Sequence, residues 1–293
     1  MISVIITAYN VEKYIEEAVA SVARSYDDLE IIVVNDASTD RTADVLARME
    51  KEDARIHVVE NIINKGAGMS RAVGLANAHG EYVMFVDGDD WLMPDYIAHL
   101  AAEAERTGAD IVSGGVKIKH EDGSEEDRTN GTRILEGDDK LGEMWGKKIV
   151  YVCDKIIRRE LFRTVPYCKR RYIEDTPVII PLIWLANKVA CIDEAGYVYR
   201  MRGTSLTHTS DIFKNMVFRG LCLCDLLDFF NAHDPSVLTK CNIIGCACEI
   251  FDAINATKIQ PDHLKRYADE WLELSYRLFN YYTISKIDYQ IKK

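Results

Sequence analysis

The sequence predicts an α/β protein: a mostly parallel sheet flanked by helices over residues 1–209, then a helical region over 210–293. Three observations predict it. Short apolar runs alternate with helix-length amphipathic segments from the first residue, the pattern of a sheet covered by helices on both faces. The runs are continuous rather than alternating, as strands buried on both sides require. Beyond about Ser210 only helical periodicity remains.

Residues 3–7 form the first strand, and Asn10 can cap a helix over 11–24. A strand at 29–34, a helix at 41–51 capped by Asp40, a strand at 56–59, a helix at 68–78 and a strand at 82–86 follow. Pro94 opens a helix to 106 from the favoured first-turn position, and 109–113 is a fifth strand. The pattern then changes to a polar hairpin over 116–133 around Gly123, a short helix at 138–146 and a strand at 149–153. A helix at 174–185 and strands near 189–192 and 197–201 complete the first region. In the tail, 213–230 and 242–256 read as helices, and Leu264, Tyr267, Ala268, Trp271, Leu274, Ser275 and Leu278 fall on one helix face.

A hydrophobic content of 48% and a charged content of 28% are ordinary for a globular protein. Lys+Arg 36 against Asp+Glu 47 gives a net charge of −11, which argues against a nucleic-acid partner tracked along its phosphates. Eight cysteines include no CxxC pair, so buried free thiols in a reducing compartment are expected. The spacing of Cys241, Cys246 and Cys248 is poor for a metal. No signal peptide is read before the first strand. The longest apolar stretch, 178–192, contains Pro181, Asn187 and Lys188 and is too short and polar to span a bilayer. The expected location is cytoplasmic, with peripheral contact at the inner face of the membrane.

The run from Tyr82 to Trp91 is the most informative. A buried strand ends in Asp87, Gly88, Asp89 and Asp90. Carboxylates this close repel unless a positive charge lies between them. Oxygen-only ligands favour Mg²⁺ or Mn²⁺, an ion that usually also takes phosphate oxygens. The plainer alternative is turn chemistry, with Gly88 at positive φ and Asp89 or Asp90 closing an Asx-turn. A second rival is a phosphatase of the haloacid-dehalogenase type, whose first Asp is a nucleophile, although there the pair normally lies near the domain's start. Ligands of open parallel sheets bind beyond the carboxyl ends of the strands. The first, second and fourth strands end in Thr7 to Asn10, Asn35 to Asp40 and Asp87 to Asp89, so these clusters should converge on one crevice.

These residues, in this order, resemble the family-2 inverting glycosyltransferases with the GT-A (Rossmann-like) fold. The matching segments are 3–10, 30–40, 64–74, 80–90, Glu174-Asp175 and 197–206. The resemblance implies a nucleotide-diphosphate-sugar donor, Mg²⁺ or Mn²⁺, inversion at the anomeric carbon, and a glycan, polymer or lipid-linked acceptor, as in cell-surface polysaccharide biosynthesis. It places Thr7, Tyr9, Asp36, Arg71, Asp87 and Gly88 at the nucleotide. An aromatic ring and a carboxylate suit uracil, so a UDP-sugar is favoured. For Asp36 the alternative is a cap in the following turn, and for Arg71 a solvated helix-face charge. The chain departs from the family pattern at Ala72, where Asn is common, and at Ala37, where Gly is.

The resemblance makes Asp89, with Asp87, the metal ligand and Asp175 the general base beside Glu174. Capping by Asp175 ahead of Pro177 is the competing role. Lys155, Arg200, Arg202 and Ser205 are implied at the diphosphate and acceptor, and His208 is a weaker candidate. Residues 155–171 hold seven basic residues and one acid, Glu160, a cationic patch for an anionic acceptor or membrane headgroups, or a solvated surface. The tail is expected to support acceptor binding or self-association. The rivals to a metal-dependent glycosyltransferase are a nucleotidyltransferase, which would need a Gly-rich loop that residues 7–10 lack, and a degenerate nucleotide-sugar-binding scaffold.

Overall fold

The computed structural model describes residues 1–137, 140–146, 151–167, 175–202, 211–240 and 267–277. The chain forms two compact units, Met1–Gly203 and Thr204–Lys293.

The first unit is built on an eight-stranded sheet of order β3-β2-β1-β4-β10-β6-β11-β9. Its strands are β1 (Ile2–Ala8), β2 (Leu29–Asn35), β3 (Ile56–Glu60), β4 (Tyr82–Asp87), β6 (Ile111–Ser113), β9 (Arg133–Glu136), β10 (Lys155–Arg158) and β11 (Lys188–Cys191). Helices α1 (Ile15–Ser25), α2 (Thr42–Glu52), α3 (Ala67–Ala76), α4 (Tyr96–Thr107), α5 (Lys140–Gly146) and α6 (Thr176–Leu185) accompany them. Val4, Ile5 and Ile6 of β1, Ile31 and Val33 of β2, and Val83 to Val86 of β4 are fully buried. Burial on both faces explains their unbroken apolar runs.

β1, β2, β3 and β4 run parallel, and the order reverses at β1: β2 and β3 lie on one side, β4 on the other. Such a reversal opens a crevice at the carboxyl ends of the two central strands. The register sets Thr7 opposite Asp87 there. β10 enters antiparallel between β4 and β6, and β9 is an antiparallel edge. A smaller sheet of order β5-β12-β7-β8 uses β5 (Trp91–Leu92), β7 (Gly115–Lys119), β8 (Glu125–Thr129) and β12 (Tyr197–Arg200). β7 and β8 form the expected hairpin, turning at Gly123 with φ 86°. The first four residues of β8 are exposed, and all four are charged.

Three expectations change. α1 starts at Ile15 rather than 11, because Asn10 takes φ 52° and its Oδ1 accepts from the Thr39 amide. The amides of Val11 and Glu12 donate to Thr42 Oγ1 and Asp40 Oδ2, so Asn10 joins a brace between two loops instead of capping α1, while Asp40 Oδ1 accepts from the Thr42 amide where α2 begins. α4 starts at Tyr96 behind Asp95 at φ 59°, leaving Pro94 outside the helix. The strand expected at 149–153 lies at Lys155–Arg158. Its charged ends disguised it, while Ile156 and Ile157 fill the core.

In the second unit, α7 (Ile212–His233), α8 (Ser236–Lys240) and a helix over 268–277 match the tail's periodicity. Phe213 packs on Trp271 with ring centroids 5.6 Å apart, and Arg277 pairs with Asp225 at 2.8 Å. The expected helix at 242–256 lies outside the described residues, as do Cys168, Cys241, Cys246 and Cys248. Cys153, Cys191, Cys222 and Cys224 are free thiols. Among the described residues no helix is long and apolar enough to cross a membrane.

Candidate active site

The carboxyl ends of β1 and β4 meet closely. The Gly88 amide donates to the Thr7 carbonyl at 2.9 Å, and Thr7 Oγ1 donates to Asp87 Oδ1 at 3.3 Å. Gly88 does not take the positive φ expected of turn chemistry. Glycine is required for another reason: a Cβ there would sit 2.7 Å from the Thr7 carbonyl oxygen. That approach fixes where Asp87 and Asp89 stand.

The three carboxylates divide their work. Asp90 is buried and accepts from Tyr197 Oη at 2.6 Å and the Arg200 amide at 2.8 Å. Burial, then the charges of Asp89 and Asp87, push its carboxyl well above the ordinary range. It ties the motif to β12 rather than facing the crevice. Asp87 Oδ1 accepts from Arg71 Nη2 at 2.6 Å and Asp89 Oδ2 accepts from Arg202 Nη2. Burial and the neighbouring Asp87 raise the Asp89 carboxyl above its usual value, and Arg202 opposes them. The pair therefore favours further positive charge.

Arg71, on α3, is 3% exposed, which rules out a solvated helix-face charge. Its Nη1 donates to Asp175 Oδ1 at 2.9 Å, so one guanidinium joins the fourth strand end to the start of α6. Asp175 precedes α6, yet its side chain makes no capping bond. Oδ1 also accepts from Tyr167 Oη at 3.0 Å. Burial raises the Asp175 carboxyl, Arg71 lowers it and Asp87 raises it again. With 31% of its side chain exposed, Asp175 still reaches the crevice.

Arg200 and Arg202 reach Asp89 from β12 and the residues after it. Arg200 Nε donates to the Asp89 carbonyl at 2.9 Å and its guanidinium stacks on Trp91 at 4.3 Å. Arg202 lies 5.0 Å from the Tyr14 ring. Tyr9, just past β1, is 47% exposed. Asp36 is buried, and its oxygens accept from Asn61 Nδ2 at 2.8 Å, the Lys65 amide at 2.9 Å and the Gly66 amide at 2.8 Å. It holds the loop into α3, and neither caps the following turn nor presents an unoccupied oxygen to a base. Glu174, Ser205 and His208 lie outside the described residues.

Lys155 is fully buried, with Nζ donating to the Tyr151 carbonyl at 2.6 Å and paired with Asp154. It is therefore not part of a solvated cationic surface. Arg158 pairs with Asp110 at 3.0 Å and with Glu81. Arg158, Arg159, Arg163, Glu81 and Glu160 line a groove of about 200 Å³. That groove lies at the opposite end of β4 from Asp87, since Arg158 pairs with Tyr82. The described part of the basic segment thus forms no uniform patch beside the carboxylates. Reading 155–171 for charge alone passes over Tyr167, and only its place before the Glu174-Asp175 pair hinted at it.

Among the described residues no group of three His, Cys, Asp or Glu stands arranged for a metal. A Mg²⁺-like ion needs no such cage, being held by one or two carboxylates together with substrate phosphates. Asp87 and Asp89 each bind arginine through one oxygen, and burial presses Asp89 toward its neutral form. This donor set fits such an ion.

The family model for glycosyl transferase family 2 matches residues 3–165. The chain belongs to glycosyl transferase family 2. It is 34% identical over 217 residues to the uncharacterized glycosyltransferase EpsJ of Bacillus subtilis, covering 71% of this chain and 63% of EpsJ. It is 30% identical to the glycosyltransferase GlyA of Streptococcus pneumoniae, covering 70% of this chain and 31% of GlyA. The chain thus spans less than two thirds of the length of either relative. The crystal structure of S. aureus TarS 1–349 in complex with UDP-GlcNAc superposes with a TM-score of 0.68 at 22% identity, covering 93% of this chain and 79% of that one. The GT-A fold expected of a family-2 member is the fold observed.

Proposed function

We propose that this glycosyltransferase moves a sugar, with inversion, from a UDP-sugar to a hydroxyl of a glycan, polymer or lipid-linked acceptor, with Asp175 as general base. The observation that carries this is the Arg71 bridge, which holds Asp87 and Asp175 on one guanidinium at 2.6 and 2.9 Å. A donor-side carboxylate and a base candidate thereby share one crevice at the strand ends. The acceptor oxygen bonds to the anomeric carbon as the bond to the diphosphate oxygen breaks. The acceptor proton passes to Asp175, and the sugar's configuration inverts. Arg200 and Arg202, already at Asp89, are placed to meet the diphosphate. A divalent ion held by Asp89 and Asp87 would offset charge growing on the leaving diphosphate.

UDP as the nucleotide is supported by the exposed Tyr9 ring and by the complex of the structural neighbour TarS with UDP-GlcNAc. Tyr9→Ala should weaken UDP binding by roughly 1–3 kcal/mol, as losing a base–aromatic stack does elsewhere. Tighter calorimetric binding of GDP than of UDP by the wild type would overturn the nucleotide assignment. Metal dependence is tested the same way. UDP should bind more tightly with Mn²⁺ or Mg²⁺ than without, and Asp89→Ala should abolish the difference. Equal affinity with and without the ion in the wild type would remove the metal from the proposal. The second unit, Thr204–Lys293, is assigned to acceptor binding or self-association.

A further inference from the structure

We propose that Tyr167 is a positioning residue for sugar transfer: it fixes the Asp175 carboxylate through one oxygen and so presents the other to the acceptor hydroxyl. This rests on Asp175 being the general base.

Of the other buried tyrosines, Tyr82 and Tyr96 donate to the backbone carbonyls of Ala109 at 2.7 Å and Asp154 at 2.8 Å, and Tyr197 donates to Asp90, the carboxylate that ties the motif to β12. Tyr167 donates to Asp175 Oδ1 at 3.0 Å. The same oxygen accepts from Arg71 Nη1 at 2.9 Å, and Nη1 lies 3.3 Å from Tyr167 Oη. Hydroxyl, guanidinium and carboxylate oxygen close a triangle. One donor would set a distance and leave the carboxylate able to swivel about it. Two donors on one oxygen from different directions also fix the rotation, so the second oxygen has a defined place. Among the described residues no donor reaches Oδ2.

The support comes from inside the fold. Tyr167 is 3% exposed, and its ring packs on Phe85 with centroids 5.0 Å apart. Phe85 lies two residues before Asp87 on β4, so the strand that carries the donor-side carboxylate also seats the ring that orients the base. Asp175 keeps its outer surface for substrate, while Arg71 and Tyr167 hold it from below. Charged and polar neighbours facing Asp175 are Arg71 from α3, Asp87 from β4, Lys155 from β10 and Tyr167 itself.

Tyr167→Phe keeps the ring against Phe85 and removes only the hydroxyl. The probe is hydrolysis of a UDP-sugar with water as acceptor, using whichever of UDP-glucose, UDP-galactose and UDP-GlcNAc is cleaved fastest. Losing one hydrogen bond to a charged group should lower kcat by about ten- to a hundredfold, with donor KM and calorimetric UDP affinity unchanged. Unchanged UDP affinity also reports an intact fold. In an Asp175→Asn background the same change should cost nothing more, because Tyr167 acts through that carboxylate. Wild-type kcat in Tyr167→Phe beside a slow Asp175→Asn enzyme would overturn the positioning role and spare the base. Additive losses in the double variant would overturn it too. A wild-type rate in Asp175→Asn alone would sink the base assignment and this proposal with it.

Discussion

Asp175→Asn should fold and bind UDP nearly as the wild type does, while sugar transfer falls by at least about 10²-fold, the low end for losing a general base. Asparagine keeps the size, and its amide oxygen can still accept from Arg71 and Tyr167. No helix cap is lost, since the Asp175 side chain makes none. What disappears is basicity. Burial holds the Asp175 carboxyl above its ordinary value although Arg71 opposes it, which makes the ionised form a stronger base. The pH profile follows: kcat/KM should fall as pH drops through this raised value, and Asp175→Asn should lack that acid limb. The stability effect has the opposite sign. An acid whose folded pKa is raised stabilises the fold in its protonated form, and that contribution is lost as pH rises through the folded value. At neutral pH the asparagine variant should therefore be no less stable than the wild type. Glu174→Gln should slow transfer less. Wild-type transfer by Asp175→Asn would move the base elsewhere, to Glu174 first.

Lys155→Ala should destabilise the fold by about 3–5 kcal/mol, the usual cost of stranding one member of a buried ion pair. Lys155 and Asp154 are both fully buried, and Asp154 Oδ2 also accepts from Ser113 Oγ at 3.2 Å. Without the ammonium, that carboxylate would remain in the interior beside one hydroxyl. A paired change to apolar residues, Lys155→Met with Asp154→Leu, should cost clearly less than the single change, because no charge is left unpaired. Urea unfolding of the variants decides it. A loss below about 1 kcal/mol for Lys155→Ala would mean that water reaches the pair. The family resemblance put Lys155 beside the acceptor. The structure buries it on β10, paired with Asp154 and with its charge facing Asp175.

The central strands were legible because burial on both faces leaves an unbroken apolar signature, and β1, β2 and β4 match their expected spans within a residue or two. The convergence of Thr7, Asp87 and Asp89 followed from the rule that parallel sheets bind at their carboxyl ends, and the register of β1 on β4 delivers it. Partner choice was not legible. Nothing local says that Arg71 will reach across 104 positions to Asp175, or that Asp36 will hold the amides of Lys65 and Gly66. Charge also misled. Lys155 and Arg158 looked like surface residues, yet they bound a buried strand, Lys155 paired with its neighbour Asp154 and Arg158 with Asp110, distant in the sequence. Loop starts failed where side chains bonded to a different loop, as Asn10 does with Thr39.

The charged hairpin strand β8 has a consequence for how the protein behaves in crowded solution. It is the outer strand of the small sheet, and one side of its backbone ladder pairs with β7. Among the described residues no strand pairs with its other side, which is the kind of open edge on which a second chain could lay down a strand. Glu125, Glu126, Asp127 and Arg128 stand exposed along it, so an incoming identical strand would bring mostly like charges into register and leave them poorly solvated. The edge is thereby guarded against fibrous growth, and the guard is electrostatic. It weakens as salt rises or as the carboxylates gain protons, which makes acid or concentrated brine the conditions under which this sheet would be most open to sticking to its own kind.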